Sequence, residues 1–493
     1  MGNKSSYRQI LKATGILGGV QVVDILIRIV QMKIVAILLG PMGVGVIGLY
    51  KSTIDLIRSA TGFGLDFSSV REIAQADGAG DAGQINKTTI VMRRWVWFTG
   101  LVGMALTILF SGLLSRYAFG DEKYGWGISL ISVVLLLMAI SGGQLALLQG
   151  LRKIPLMAKA KVWGLIVAFI VAVPLYWIFR LDAIVPVIII TAVIVLFFSW
   201  YYSRQIRIDP ISLSVKDTFV SGLGMVRLGF FMVVSTLVAM ASMYIIRAYI
   251  ANKVGIDGVG QFQAAWSISS LYLTAVLQAM GTDYFPRLSA VSEDNGKVVM
   301  LVNEQTEIAL LLAGPIVVGM LSFISIVVFI LYSSKFDNAI PILHWMLAGT
   351  FFKVLSWPLG FIMLAKGRGG IFITTEILSN SVFLLITGFA WENYSIESTG
   401  IAYVIMYMFY TLTVLAVGYR ISSFIWSKQN VQLIVVFSIL IIASLVNVRL
   451  NAGVPMYVTG AVVVAVTSMY SLYKLNSIID LTSIYRKIFN SNG

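Results

Sequence analysis

The chain has 493 residues, of which 58% are hydrophobic and 12% are charged, and its formal net charge is +14. This composition excludes an ordinary soluble protein, in which about a quarter of the residues are charged. The absence of cysteine excludes disulfide bonds and thiolate metal sites. We therefore expect an integral membrane protein, whose positive charge acts through its position relative to the bilayer and not through a nucleic-acid partner.

Apolar segments of about 20 residues, long enough to cross a bilayer as an α-helix, recur along the whole chain. They predict an all-α polytopic membrane protein with fourteen transmembrane helices and no soluble domain. The first segment contains Asp24 and Arg28 and lacks a cleavage signature, so we interpret it as a retained helix. The predicted helices are 13–39, 44–67, 90–112, 126–149, 157–179, 184–203, 222–252, 262–284, 305–332, 341–365, 370–390, 399–419, 430–448 and 454–474.

Lysine and arginine are distributed unevenly between the two sides of the predicted bundle. With the N-terminus in the cytoplasm, 23 of the 36 basic residues fall in cytoplasmic segments, six on the opposite side and seven inside the helices. Cytoplasmic loops of membrane proteins carry an excess of lysine and arginine. The distribution therefore favours an even number of helices, with both termini in the cytoplasm.

An internal duplication becomes visible when the chain is shifted by 215 residues against itself. The shift pairs residues 40–45 with residues 255–260, and both segments read G-x-x-G-V-G. Six predicted crossings separate the copies, so both have the same orientation in the membrane. The pattern predicts two six-helix lobes, residues 1–208 and 209–425, followed by an additional helix pair and a cytoplasmic tail within 426–493.

Residues 43–48 also match G-x-G-x-x-G, the fingerprint of dinucleotide-binding loops. That loop follows a strand and opens a soluble helix, whereas this segment joins two predicted membrane helices. We interpret it as a tight interhelical turn in which glycine supplies a positive φ.

Seven basic residues interrupt otherwise apolar helices. A cation at the centre of a bilayer costs about 2.5–3.5 kcal/mol on insertion scales, so such residues usually face a bundle interior or a wet cavity. Three acids, Asp24, Asp55 and Glu376, leave an excess of four positive charges, which favours a transporter of an anionic substrate. The seven basic residues are Arg28, Lys33, Lys51, Arg58, Arg227, Arg247 and Lys353.

Some of these charges have an acidic residue within one helical turn. Asp24 precedes Arg28 by four residues, and Asp55 lies four residues after Lys51 and three before Arg58. Side chains at these spacings lie on one helix face and can form ion pairs. The alternative that these pairs are structural bridges therefore stays open beside the alternative that they bind substrate.

Lys33, Arg247 and Lys353 have no acidic residue within reach on their own helices, which favours substrate binding for them. Glu376 has two interpretations. A lone carboxylate at membrane depth is a candidate proton or sodium site, and it is equally a candidate partner for a lysine on a neighbouring helix.

Three sequence features resemble those of Wzx-type O-antigen and oligosaccharide flippases. They are the segment L-L-G-P-M-G-V-G-V-I-G-L-Y at 38–50, a second helix ending in G-F-G-L-D-F, and the duplicated G-x-x-G-V-G. These flippases form part of the polysaccharide transport branch of the multidrug/oligosaccharidyl-lipid/polysaccharide exporter superfamily. The resemblance covers the whole chain in architecture, while the motif is confined mainly to residues 1–80.

The resemblance implies a MATE-like fold, with two pseudo-symmetric lobes around a central cavity and two additional C-terminal helices. It also implies alternating-access transport of an undecaprenyl-pyrophosphate-linked oligosaccharide, from the cytoplasmic to the periplasmic leaflet of a bacterial inner membrane. Beside membrane lipids, the polysaccharide polymerase machinery is a candidate partner, and a monomer is expected. The predicted headgroup-binding residues are Arg28, Lys33, Lys51, Arg58, Arg247 and Lys353.

The chain contains no Walker A sequence, so direct use of ATP is not expected and an ion gradient is the default driving force. Asp24, Asp55 and Glu376 are the candidate coupling residues, with H⁺ or Na⁺ as the coupling ion. No other cofactor and no metal site is expected.

Two other functions remain as alternatives. A multidrug exporter of the same superfamily usually handles organic cations, which a positively charged interior would repel. A membrane enzyme of polysaccharide assembly, such as a polymerase or acyltransferase, would be expected to show a large external loop or a buried His–Asp pair. Because neither feature is visible in the sequence, we expect a transporter and not an enzyme.

Overall fold

The computed structural model describes residues 2–450 and 453–479, with side chains except at 2–22, 66–67, 215, 224–232, 271–276, 278–279, 281–283, 286, 449 and 478–479. Its longer elements are all α-helices, and no strand occurs in this described part. The helices are α1 (Gly2–Thr61), α2 (Leu65–Gly78), α3 (Ala82–Leu109), α4 (Ser111–Phe119), α5 (Gly125–Gly150), α6 (Ile154–Phe179), α7 (Ile184–Ser203), α8 (Val215–Ala290), α9 (Asn295–Ser322), α10 (Ile324–Leu331), α11 (Ala339–Ala365), α12 (Gly369–Tyr394), α13 (Ser398–Ser422), α14 (Lys428–Leu450) and α15 (Val454–Ile479).

Within the described residues, nine helical runs are long and apolar enough to cross a membrane, or ten if α3 and α4, bent by 68°, form one span. The chain is therefore a multi-pass membrane protein. Four runs have 38 to 54 residues, about twice the length that one crossing needs. Each of the four contains an internal break or a short 3₁₀ connection. The predicted total of fourteen helices stays a prediction.

Two of these breaks lie at glycines of the duplicated motif. Gly40 in α1 has φ 66° and ψ −169°, and Gly255 in α8 has φ 83° and ψ 175°. A side chain is strained at such positive φ values, whereas glycine adopts them readily. The tight turn predicted at residues 43–48 is wrong, because these residues are helical, and the positive φ is supplied three residues earlier, at Gly40. As a helical segment, residues 43–48 do not form a nucleotide-binding loop either.

The two copies of the motif also pack against each other. A β-carbon added to Gly45 would collide with the main-chain carbonyl oxygen of Ile256, and one added to Gly260 would collide with that of Pro41. Gly45 and Gly260 are equivalent under the shift of 215 residues, and so are Pro41 and Ile256. Reciprocal contacts of this kind are the signature of a two-fold axis, here an approximate one. Glycine is needed at both positions because the two backbones touch.

The chain divides into two compact units. The first contains the residues up to Gly260 together with Leu331–Lys335, and the second contains Gln261–Ile330 and the residues from Phe336 onward. The first half of α8 thus belongs to the first unit by its contacts. The predicted lobes, 1–208 and 209–425, follow the sequence repeat instead, and they stay a prediction. The end of the predicted cytoplasmic tail, beyond residue 479, lies outside the described residues.

Contacts at both ends hold the first half of α8 within the first unit. At its start, the Arg94 guanidinium on α3 donates to the hydroxyl of Thr218 at 2.6 Å, and the Trp95 indole donates to the carbonyl of Thr218 at 3.1 Å. At its other end, the Asn252 amide donates to the carbonyl of Tyr117 on α4 at 2.9 Å. These bonds fix the helix that carries Arg247.

In the second unit, α14 and α15 pack against α9, and an asparagine anchors the connection. The Asn303 amide group donates to the carbonyl of Ile425 at 3.1 Å, and its carbonyl oxygen accepts from the Ser427 N–H and from the Asn430 amide, both at 2.8 Å. Buried amides keep such partners because losing them costs about 1–3 kcal/mol. The additional helix pair is therefore part of the second unit.

Aspartates cap α3 and α9, the third helices of the two predicted repeats. Asp81 accepts from the N–H of Gln84 at 2.9 Å, and Asp294 accepts from the N–H of Lys297 at 3.1 Å. The N–H and the ammonium group of Lys297 together hold the pKa of Asp294 below its usual range. Each cap satisfies a donor that the first helical turn leaves without an intrahelical partner.

Candidate functional site

Five of the predicted site residues lie together in the first unit. Lys51, which follows the break in α1, interacts electrostatically with Asp55 on its own half of the helix, with Asp24 and Arg28 before the break, and with Arg247 on α8. We call these five residues the first-unit charge cluster. The kink at Gly40 and the anchoring of α8 bring together side chains that are far apart along the chain.

Arg28 and Asp24 form an ion pair within the cluster. The Arg28 Nε atom lies 2.8 Å from a carboxylate oxygen of Asp24, as the spacing of four residues allows. The structural bridge considered from the sequence therefore exists. The Arg28 side chain nevertheless remains 52% exposed, so its guanidinium keeps donors available for a ligand.

Arg247 is the buried cation of the cluster, with 9% of its surface exposed. It interacts electrostatically with Asp55, which also faces Lys51. The sequence shows no acidic residue within reach of Arg247 on its own helix, but in the folded structure Asp55 on α1 is such a neighbour. A buried cation needs such a neighbour, since an isolated buried charge costs several kcal/mol at least.

The formal charge of the cluster is positive. Three cations, Arg28, Lys51 and Arg247, face two carboxylates, Asp24 and Asp55, which leaves an excess of +1. Lys51 and Arg28 are exposed, whereas Arg247 is buried. Two cations are therefore accessible to an anion, and the buried third cation makes the local electrostatic potential more positive.

Lys33 and Arg58 are two further predicted cations of the first unit. Both are half-buried on α1, one on each side of the break, and neither is without an interaction partner. Arg58 follows Lys51 by seven residues, a spacing that places both on one helix face. Lys353 belongs to the second unit and not to the first-unit charge cluster. The side chain of Arg227 lies outside the described residues.

Glu376 on α12 has a lysine neighbour on another helix. Its carboxylate interacts electrostatically with Lys353 on α11 and accepts a hydrogen bond from the Tyr410 hydroxyl on α13. The Lys353 ammonium group lies 5.6 Å from the ring centroid of Tyr407. The structure therefore supports the interpretation of Glu376 as the partner of a lysine, while its role in ion coupling stays a prediction.

The tyrosines of α13 did not enter the sequence-based set of site residues. Tyr403, Tyr407 and Tyr410 are spaced four and three residues apart, so they line one helix face. The rings of Tyr403 and Tyr407 are 4.8 Å apart, and those of Tyr407 and Tyr410 are 6.5 Å apart. The spacing of the three tyrosines is visible in the sequence. The proximity of Tyr407 and Tyr410 to Lys353 and Glu376 could be recognised only in the folded structure.

A model of the family described as "polysaccharide biosynthesis protein" matches residues 34–341, well over half of the chain. The chain belongs to the polysaccharide biosynthesis protein family. The matched region includes the helix breaks at Gly40 and Gly255. It also includes four of the charged residues predicted for the site in the first unit: Lys51, Asp55, Arg58 and Arg247.

A curated relative agrees with this assignment. The lipid III flippase of Escherichia coli strain K12 is 25% identical over 367 residues, which is 73% of this chain and 85% of the relative. The lipid III flippase of Shigella flexneri matches to the same extent. Both relatives are flippases and not enzymes, in agreement with the expectation that the chain is a transporter.

Two solved structures share the fold. A multidrug resistance transporter of the MATE family and MOP superfamily, in its inward-facing conformation, superposes with a TM-score of 0.69 at 14% identity, covering 82% of this chain and 95% of that protein. The lipid II flippase MurJ, in an inward closed conformation, gives a TM-score of 0.68 at 12% identity, covering 96% and 100%. The predicted all-α, MATE-like fold is confirmed by these structures, and the resemblance to oligosaccharide flippases is confirmed at family level by the family model and the curated relative.

Proposed function

We propose that this member of the polysaccharide biosynthesis protein family is a lipid flippase. Its substrate is an undecaprenyl-pyrophosphate-linked oligosaccharide, an O-antigen repeat unit or a related one. The protein moves it from the cytoplasmic to the periplasmic leaflet of the bacterial inner membrane by alternating access. The observation that carries this proposal is the net positive first-unit charge cluster inside an apolar helical bundle.

The charges of the cluster suit a pyrophosphate. A diphosphate that crosses hydrocarbon without help loses the hydration of its charged oxygens, which is prohibitively costly. Arginine offers paired donors to phosphate oxygens, and lysine offers a compact point charge. In this proposal Arg28 and Lys51, which are exposed, replace the lost water, and Arg247 supports them electrostatically.

The polyprenyl tail and the sugars need different surroundings from the headgroup. The tail stays in the lipid phase, since it is as apolar as the acyl chains, while the headgroup occupies the polar interior. This division explains why a flippase needs fixed charges at membrane depth without enclosing its whole substrate.

The proposal has further parts, which follow from the charge distribution or the family resemblance. They are the inner-membrane location, the cytoplasmic termini, the monomeric state and an association with polymerase machinery.

An ion gradient supplies the energy in this proposal, with H⁺ or Na⁺ as the coupling ion. Asp24 and Asp55 are suited to couple ion binding to substrate binding, because Asp24 neighbours Arg28 and Asp55 neighbours Lys51, the two cations that the pyrophosphate would also engage. Glu376 is the candidate in the second unit.

Purified protein in lipid vesicles provides the test. A fluorescent undecaprenyl-pyrophosphate-linked oligosaccharide is added to both leaflets, and a membrane-impermeant reductant destroys the fluorescence of the outer leaflet. We expect loss of nearly all the fluorescence in vesicles with protein and of about half in protein-free vesicles. An imposed H⁺ or Na⁺ gradient should make the movement directional, and comparison of the two ions identifies the coupling ion.

The multidrug-exporter alternative makes the opposite prediction in the same vesicles. A fluorescent organic cation would be transported, and the pyrophosphate-linked lipid would remain in its original leaflet. The net positive cluster favours the flippase, because it repels an organic cation. Transport of the organic cation without flipping of the lipid would contradict the proposed function.

A further inference from the structure

A strip of aromatic and polar side chains runs across four helices of the second unit. The indole of Trp266, on the second half of α8, meets the ring of Tyr403 on α13 edge-on at 5.6 Å. Tyr403 in turn meets Tyr407 at 4.8 Å. The Lys353 ammonium group follows, 5.6 Å from the Tyr407 ring centroid, and beside it lies Glu376. We call these five residues the second-unit strip.

The three aromatic residues of the strip differ in exposure. The buried ring holds its neighbours in place, and the two half-buried rings are available to contact a ligand. Tyr403 is 1% exposed and touches both other rings, so it holds them in place. Trp266 and Tyr407 are half-buried, and the Lys353 ammonium group lies over the Tyr407 ring. Edge-to-face packing of this kind fixes the orientation of an aromatic ring. Two aromatic surfaces are therefore presented in fixed positions.

The polar end of the strip offers both kinds of hydrogen-bonding group. Lys353 and Glu376 are half-buried on α11 and α12, and their formal charges balance. An ammonium group donates and a carboxylate accepts, which suits hydroxyl and amide groups without favouring a strongly charged ligand. Their position within apolar helices indicates that they face a wet interior and not the acyl chains.

Sugar rings combine these two requirements. A pyranose has an apolar face of C–H bonds, which stacks on an aromatic ring, and a rim of hydroxyl groups, which needs donors and acceptors. Specific pockets typically combine apolar and aromatic walls with a few placed polar groups. The nearly neutral second-unit strip thus differs from the first-unit charge cluster, whose excess positive charge suits a phosphate.

We propose that the second-unit strip binds the sugars of the substrate, with Trp266 and Tyr407 as stacking surfaces and Lys353 and Glu376 as hydrogen-bonding partners of sugar hydroxyls. This inference rests on the proposed flippase function and adds a recognition role for the second unit. It also reassigns Lys353 from the pyrophosphate to the sugars. Because a fixed ring loses little freedom on binding, stacking there adds affinity at low entropic cost.

Two lipid probes separate sugar binding from headgroup binding. One is undecaprenyl pyrophosphate without sugar, and the other is undecaprenyl pyrophosphate carrying a short N-acetylglucosamine oligosaccharide. Dissociation constants are measured for both on purified protein in detergent by native mass spectrometry. We expect the wild type to bind the sugar-bearing probe more tightly, and Trp266→Ala or Tyr407→Ala to lose about tenfold for that probe alone, as expected when about 1.4 kcal/mol is removed.

The matched control is Tyr419→Ala, which removes the same ring from the same helix at a position that is 60% exposed. It should leave both dissociation constants unchanged. Trp266→Phe and Tyr407→Phe keep an aromatic ring and should retain most of the preference for sugar. Unchanged binding of the sugar-free probe to each alanine variant serves as the check that the variant is folded.

The outcomes separate this inference from the proposed function. If the wild type binds the two probes equally, or if the alanine variants keep the full preference for sugar, the second-unit strip does not bind sugars although the flippase function stands. If neither probe binds the wild type, the proposed function itself fails. A loss of affinity confined to the sugar-bearing probe supports both.

Discussion

Replacing Arg28 by glutamate is expected to lower the rate of lipid flipping by about 100-fold or more, without reducing the amount of protein in the membrane. The change converts the first-unit charge cluster from three cations and two carboxylates to two cations and three carboxylates, so its formal charge goes from +1 to −1. Loss of one charged partner from a binding site costs about 2–5 kcal/mol, and 2.8 kcal/mol corresponds to 100-fold. Flipping in vesicles, normalised to the protein incorporated, measures the effect.

A control with the same change of charge is available on α8. Lys253 is exposed, and its ammonium group lies over the ring of Tyr249 at 5.8 Å. Lys253→Glu should retain nearly the wild-type rate of flipping, because it makes the same change in net charge at a position outside the first-unit charge cluster. Arg28→Lys keeps the positive charge and should retain part of the activity, although it loses the paired donors of the guanidinium group.

The ion pair of Arg28 with Asp24 requires a second control, because breaking a structural bridge can also impair function. Binding of undecaprenyl pyrophosphate is the readout here, because Asp24 is also a candidate coupling residue. If Arg28 only neutralises Asp24, the double variant Arg28→Ala with Asp24→Ala should bind this lipid as tightly as the wild type, since no unpaired carboxylate remains. If Arg28 binds the pyrophosphate, the double variant binds as weakly as Arg28→Ala. Full activity of Arg28→Glu would contradict a binding role outright.

Alanine at Gly45 or at Gly260 is expected to impair both stability and transport. An added β-carbon at either position collides with a main-chain carbonyl oxygen, of Ile256 in one case and of Pro41 in the other. Backbone cannot move aside as a flexible side chain does, and overpacking of this kind costs about 1–3 kcal/mol. We expect each variant to lower the apparent melting temperature in detergent by several degrees and to reduce flipping several-fold.

The reciprocity of this contact makes the prediction more specific. Because the two glycines occupy equivalent places in one crossing, the two single variants should have similar effects, and the double variant should cost less than their sum. Gly112→Ala is the matched control, since it lies in a helix of the same unit with open space around it. It should be neutral or slightly stabilising. If Gly45→Ala and Gly260→Ala are tolerated as well as Gly112→Ala, the close backbone crossing is not required.

The sequence could predict those features of the fold that depend on local pattern. Apolar segments of sufficient length identify membrane helices, and a repeated glycine marks the breaks at Gly40 and Gly255. The Asp24–Arg28 ion pair was also predictable, because a spacing of four residues brings two side chains onto one helix face.

Features that depend on how helices rotate and pack were not predictable. Asp55 faces Arg247 only because α8 is anchored to α3 and α4 at its two ends. The neighbours of Lys353 come from α12 and α13, and hydrophobicity does not specify which faces of those helices approach α11. The division into units also depends on helix packing, because the first half of α8 belongs by its contacts to the first unit and not to the second.

The central claim is that fixed cations in the first unit bind a pyrophosphate-bearing lipid. Its most direct test is the dissociation constant of undecaprenyl pyrophosphate, compared with that of undecaprenol, for the wild type and for the combined variant Arg28→Ala, Lys51→Ala and Arg247→Ala. We predict that the wild type prefers the pyrophosphate by at least about tenfold, equivalent to 1.4 kcal/mol, and that the combined variant loses this preference. Equal affinity of the wild type for the two lipids, or an undiminished preference in the variant, would contradict the claim.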